Sequence, residues 1–79
     1  MDIDKIGEIF LHHRKARKLS RKKAAEMAGV SLRTLATVEG AEDYVSLKTY
    51  HNLCLFYNTE IYITVPFTKK NAKFLHKKK

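Results

Sequence analysis

Apolar residues recur at helical spacing along most of this chain, and the period changes once, near residue 60. Ile3, Ile6 and Phe10 form a first inward stripe, with His13 and Arg14 following on the same side, which predicts a helix from Asp2 to Lys18. Asp2 or Asp4 can cap its start. The acids Asp2, Asp4 and Glu8 precede the basic Arg14, Lys15, Arg17 and Lys18, the order the helix dipole favours. Between Leu19 and Gly40 the small or apolar positions are Ala24, Ala25, Ala28, Val30, Leu35 and Val38. Ser20 and Ser31 suit the N-caps of two short helices, and Gly29 suits a left-handed turn between them. Two capped helices packed through alanines around such a turn describe a helix-turn-helix. Ser46 then caps a fourth helix running through Tyr57, whose Leu47, Tyr50, Leu53, Cys54 and Tyr57 close the core, with Asn58 as its left-handed end.

Beyond that helix the alternation is of period two. Ile61, Ile63, Val65 and Phe67 interleave with Glu60, Tyr62, Thr64 and Pro66, a pattern of β-formers that predicts a strand. A single strand has no partner in its own chain. A two-fold mate would supply an antiparallel one, with Ile61, Ile63 and Val65 at the dimer interface and Pro66 at the edge or end. The competing expectation is an extended arm lying on its own helices in a monomer. From Thr68 onward a lysine-rich tail has little to bury apart from Phe74 and Leu75 and is expected to stay mobile. The predicted fold class is therefore mainly α. A four-helix, repressor-like helix-turn-helix domain (1–59) precedes a dimerising β-strand (60–67) and a basic tail (68–79).

Charge narrows the partners. The 79 residues carry 16 Lys+Arg against 8 Asp+Glu, a net +8, and so small and basic a chain usually meets a polyanion, nucleic acid first. A membrane surface would also accept the charge, but no apolar run approaches the roughly 20 residues that span a bilayer, and no signal-peptide layout opens the chain. The cytoplasm is the expected location. Cys54 is the single cysteine, which excludes an intrachain disulfide and fits a reducing compartment.

Metal and catalytic chemistry find little support. His12 and His13 are neighbours on a helix, about 100° apart, and cannot both ligate easily; a solvated His12 and a part-buried His13 are expected. His51 and Cys54 are three apart, but two ligands do not make a site, so Cys54 is assigned to the core and His51 to the surface. No cofactor or metal is expected. With no glycine-rich phosphate loop and no nucleophile–base pair, an enzyme is the weakest reading.

The chemistry concentrates in the third helix. Leu32, Arg33, Thr34 and Thr37 occupy the face that Leu35 and Val38 leave free. A guanidinium can donate two hydrogen bonds to guanine O6 and N7, which makes Arg33 the candidate base reader. Leu32 could pack on a thymine methyl, while Thr34 and Thr37 suit either phosphate or base. Arg21, Lys22 and Lys23 open the second helix against its dipole, at a cost of a few tenths of a kcal/mol or so. Contact with a phosphate backbone would explain that cost, and a merely solvated basic face is the alternative.

The run R-K-A-R-K-L-S-R-K-K-A-A-E-M-A-G-V-S-L-R-T-L-A-T-V-E-G resembles the phage-repressor-type (Cro-like, XRE-like) helix-turn-helix DNA-binding domains. The resemblance covers roughly residues 6–59, with A-G-V-S followed by T-L-x-x-V-E as its most specific piece. It implies an ion pair between Arg14 and Glu39, and an Arg21 that touches the DNA backbone or an outer base. It also implies base contacts from Leu32, Arg33 and Thr37, with Ser31 and Thr34 on phosphates. The chain departs from the family pattern in three places. Lys18 stands where a glycine commonly ends the first helix, so a left-handed backbone there costs about 1 kcal/mol. Ala24 replaces a usual leucine, leaving volume for aromatic residues to fill. The loop Ala41-Glu42-Asp43-Tyr44 is acidic where relatives often carry lysines, so Tyr44 makes the phosphate contact there or the loop stays clear of the duplex.

A repressor-type domain followed only by a strand and tail further resembles the antitoxins of HipB-like toxin–antitoxin operons. The resemblance then implies a homodimeric repressor on a palindromic double-stranded operator, with a toxin as protein partner. Two alternatives are a phage-type repressor without a toxin, and a protein-interaction module that has lost operator specificity.

Overall fold

Four helices succeed one another in the computed structural model: α1 (Ile3–Ala16), α2 (Arg21–Ala28), α3 (Leu32–Glu39) and α4 (Leu47–Tyr57). The structure describes residues 1–63. Each helix begins on a side-chain oxygen that accepts a backbone amide three residues on, which satisfies one of the donors a helix start leaves orphaned. Asp2 Oδ1 takes the Lys5 amide at 2.8 Å, Ser20 Oγ that of Lys23 at 3.1 Å, Ser31 Oγ that of Thr34 at 3.0 Å and Ser46 Oγ that of Thr49 at 3.2 Å.

The four helices also end alike. A residue in the left-handed region follows each one: Lys18 (φ 55°), Gly29 (φ 74°), Ala41 (φ 54°) and Asn58 (φ 53°). The amide after it bonds back to an otherwise orphaned carbonyl, Leu19 to Arg14 at 3.2 Å, Val30 to Ala25 at 3.0 Å, Glu42 to Thr37 at 3.1 Å and Thr59 to Cys54 at 3.0 Å. This is the Schellman arrangement. It stops α1 at Ala16, short of the expected Lys18, because Lys18 itself turns left-handed. A Cβ in that region is strained, so Lys18→Gly is expected to raise stability by about 0.5–1 kcal/mol after the entropy cost of glycine. Guanidinium denaturation checks it; an unchanged or lower midpoint would mean that the lysine side chain offsets its own strain.

The core is Ile6 and Phe10 from α1, Ala24 and Ala25 from α2, Leu35 and Val38 from α3, and Tyr50, Leu53 and Tyr57 from α4. The second helix contributes only alanines, and aromatic rings supply the bulk. Phe10 stacks near Tyr50 with centroids 6.4 Å apart and lies tilted to Tyr57 at 6.0 Å. Arg17 ties α1 to the end of α4: its Nη2 donates to the Tyr57 carbonyl at 2.9 Å and its guanidinium lies 5.3 Å from the Tyr57 ring centroid. His13 stacks on the same ring at 5.7 Å. Burial, with help from Arg17 and His12, holds its imidazole below the ordinary histidine pKa.

Gly7 is where α1 and the end of α3 come closest. A Cβ placed there would lie 2.6 Å from the Val38 carbonyl oxygen and 3.2 Å from that of Glu39. The backbone of α3 therefore rests on the backbone of α1, with no side chain between them at this point.

Residues 60–63 form no strand. A strand needs a neighbour, and the described residues offer none; residues 60–63 run instead as an arm beside α4. Ile61 and Ile63 are half-buried and pack against the core, while Tyr62 is exposed and donates its hydroxyl to Glu60 Oε2 at 3.0 Å. The two isoleucines line a groove of about 410 Å³ with Leu47, Tyr50, His51 and Cys54. Cys54 sits half-buried there rather than fully in the core, and burial pushes its thiol pKa up although the Ile61 amide donates to it. Val65, the rest of the expected strand to 67 and the tail 68–79 lie outside the described residues.

Candidate nucleic-acid interface

The third helix is held by its inward face and open on the other. Leu35 and Val38 are buried, and α3 packs on both α1 and α2. Leu32 is 49% exposed, Arg33 is exposed, and Thr34 and Thr37 are partly so. Among the described residues no side chain pairs with Arg33, so its guanidinium keeps every donor for an outside acceptor.

The hydroxyls near Arg33 are partly committed. Ser31 Oγ accepts the Thr34 amide and donates to Thr34 Oγ1 at 2.7 Å, so its proton is used within the cap. Thr34 keeps a free hydroxyl proton that could go to a phosphate oxygen. Thr37 donates to the Arg33 carbonyl at 3.0 Å, the usual back-bond of a helical threonine. It offers lone pairs outward, and so suits a base amino group better than a phosphate.

At the far end of α3 the carboxylate of Glu39, its side chain only 1% exposed, is shared by two arginines. Arg14 Nε donates to Oε2 at 2.7 Å and Arg14 Nη2 to Oε1 at 3.0 Å, a bidentate fork. Arg14 Nη1 donates to the Leu19 carbonyl at 2.8 Å, so the α1–α2 turn, α1 and α3 are joined through one guanidinium. The hydrogen bond to Glu39 pushes the Arg14 pKa further up, against the pull of burial.

The other arginine is Arg21. Its Nε donates to Glu39 Oε1 at 3.0 Å while its side chain remains 49% exposed. Sequence alone read Arg21 as a cation placed against the α2 dipole for the sake of DNA. The structure supplies a nearer reason, since the end of α3 brings a buried carboxylate to it. Lys22 and Lys23 are exposed beside it and have no such partner among the described residues, so the dipole argument still applies to them.

Other candidates are spread more widely. Glu42, Asp43 and Tyr44 are exposed in the loop after α3, with Asp43 Oδ1 accepting the Tyr44 amide at 2.8 Å. Among the described residues no group of three or more His, Cys, Asp or Glu side chains could hold a metal ion, and no helix is long and apolar enough to cross a membrane. Sequence reasoning missed Gly7 altogether and saw Arg17 only as a charge at a helix end. No family model and no curated protein matches this chain.

Proposed function

We propose that this chain is a sequence-specific double-stranded DNA-binding regulator, a repressor that acts as a homodimer on a palindromic operator. The observation that carries the reading is an exposed Arg33, without a partner among the described residues, near the start of a helix whose opposite face is buried, in a chain of net charge +8. That is the disposition a recognition helix needs in a major groove. Leu32, Arg33 and Thr37 are the base-reading set; Arg21, Lys22 and Thr34 meet phosphates, and Ser31 acts by fixing the helix start. The dimer places two such helices about one helical turn of DNA apart, joined through an antiparallel ribbon of Ile61, Ile63 and Val65. The finer reading is the cytoplasmic antitoxin of a HipB-like toxin–antitoxin operon that represses its own promoter, with the toxin as second partner.

Footprinting on the DNA upstream of the gene, at stated salt, tests this directly. The expected result is a protected site with two half-sites, for which Arg33→Ala loses roughly 1–3 kcal/mol of affinity and relaxes preference at one base pair of each half. Unchanged affinity for that variant would remove Arg33 from base reading, and an absent footprint would remove the reading itself. A kinase-like toxin in the neighbouring frame would separate the antitoxin from a phage-type repressor.

A protein-interaction module is the second reading. Leu47 and Tyr62, 46% and 67% exposed, line one groove beside the arm and would give such a partner an apolar contact.

A further inference from the structure

Glu39 lies at the last position of α3, buried, and gives its charge to two guanidiniums that are placed very differently. Arg14 uses Nε, Nη1 and Nη2 on protein acceptors and its side chain is 13% exposed. Arg21 uses only Nε, and among the described residues its two Nη groups have no acceptor. One negative charge against two positive ones leaves a surplus of positive charge, and it falls on the exposed partner.

We infer that Glu39 is a positioning residue for DNA: it grips Arg21 by Nε and thereby fixes the two Nη groups in the orientation that meets one backbone phosphate. The inference rests on the DNA-binding reading and adds to it a cause for affinity that lies inside the protein. A guanidinium is a planar fork, so a bond at Nε narrows the directions in which the two Nη groups point. An arginine on an unheld stem must lose its rotamer freedom when it binds; the bond to Glu39 removes part of that cost for Arg21 in the free protein. Glu39 belongs to the same helix as Arg33 and Thr37. The phosphate contact and the base-reading face are thus tied to one helix, which Lys22 and Lys23, without such a partner among the described residues, are not.

The test measures full-length protein on the footprinted duplex and on a random-sequence duplex of the same length, by fluorescence anisotropy across a salt series. Arg21→Lys preserves the charge and removes the fork. The expected result is that Arg21→Ala weakens binding to both duplexes by about tenfold and lowers the steepness of the salt slope by about 0.9, the loss of one phosphate contact, while Arg21→Lys keeps the slope and still loses about threefold in affinity because its point charge is not held in place. A purely structural arginine would leave that slope unmoved. Glu39→Gln, taken at a temperature where its circular dichroism matches the parent, should show the affinity loss of the lysine variant, and no further loss in the Arg21→Ala background.

If Arg21→Lys keeps the parent's affinity, orientation is irrelevant and the inference fails. It fails equally if folded Glu39→Gln binds like the parent. Should Glu39→Gln not fold, the lysine variant alone decides. If the parent binds neither duplex at any salt, the DNA-binding reading itself has failed. Binding by the parent with an unmoved lysine variant therefore separates the two failures.

Discussion

Replacing Glu39 by alanine is expected to cost about 3–5 kcal/mol of folding stability, the range for breaking a buried ion pair by removing one partner. The reason lies less in the lost attraction than in what remains. Arg14 stays between α1 and α3, its side chain 13% exposed, with its Nε and Nη2 donors left without the carboxylate they were placed to meet. Water reaches such a group poorly, and its charge has no cheap way to neutralise because a guanidinium stays protonated in proteins. Small domains hold only about 5–15 kcal/mol in all, so this one change would bring the chain near its unfolding threshold. Arg21→Ala should do far less to stability, since a half-exposed pair is screened by solvent. Chemical denaturation followed by circular dichroism measures both; a Glu39→Ala cost under about 1 kcal/mol would show that the buried fork is not what joins α1 to α3.

The second large effect has a sign that the sequence would get wrong. Glycine inside a helix is a poor helix former, so propensity alone predicts that Gly7→Ala stabilises α1 by about 1 kcal/mol. The added methyl, however, would stand 2.6 Å from the Val38 carbonyl oxygen. A backbone atom in the middle of a packed helix pair cannot swing aside as a lysine tip could. Overpacking of this kind costs typically about 1–3 kcal/mol, occasionally more, and here it should reach or exceed the top of that range. The expected net result is a loss of about 2 kcal/mol, or a melting point roughly 8–16 °C lower for a domain of this size. Thermal unfolding of the variant decides it. A raised melting point would mean that α1 and α3 can part by the few tenths of an ångström needed.

What could be read along the chain was what neighbours in sequence decide. Ser20, Ser31 and Ser46 announce helix starts because a cap is a bond across three residues, and Gly29 and Asn58 announce helix ends because few residues tolerate a left-handed backbone. Lys18 was legible only as a departure from the resembled pattern. Ala41 was not legible, because Gly40 stands beside it and yet keeps an ordinary φ of −84°. Gly7 and the second bond on Glu39 escaped for another reason: both depend on where α3 ends relative to helices far away in sequence. Over residues 60–63 the alternation takes the form of Ile61 and Ile63 turned inward and Tyr62 outward, while the strand it was read as is not formed there. It says nothing of what lies against the inward face, and in residues 60–63 that is α4 of the same chain.

This folded arm sets terms for any association through it. Ile61 and Ile63 already pack against the core of their own chain, and only Asn58, Thr59 and Glu60 join them to α4. Over so short a tether the arm meets its own core at an effective concentration of order mM. A second copy offering the same two isoleucines to the same surface gains nothing by the exchange until the protein itself is that concentrated. A ribbon dimer at cellular concentrations must draw its advantage from contacts the docked arm does not have, chiefly the ladder of backbone hydrogen bonds between two paired strands.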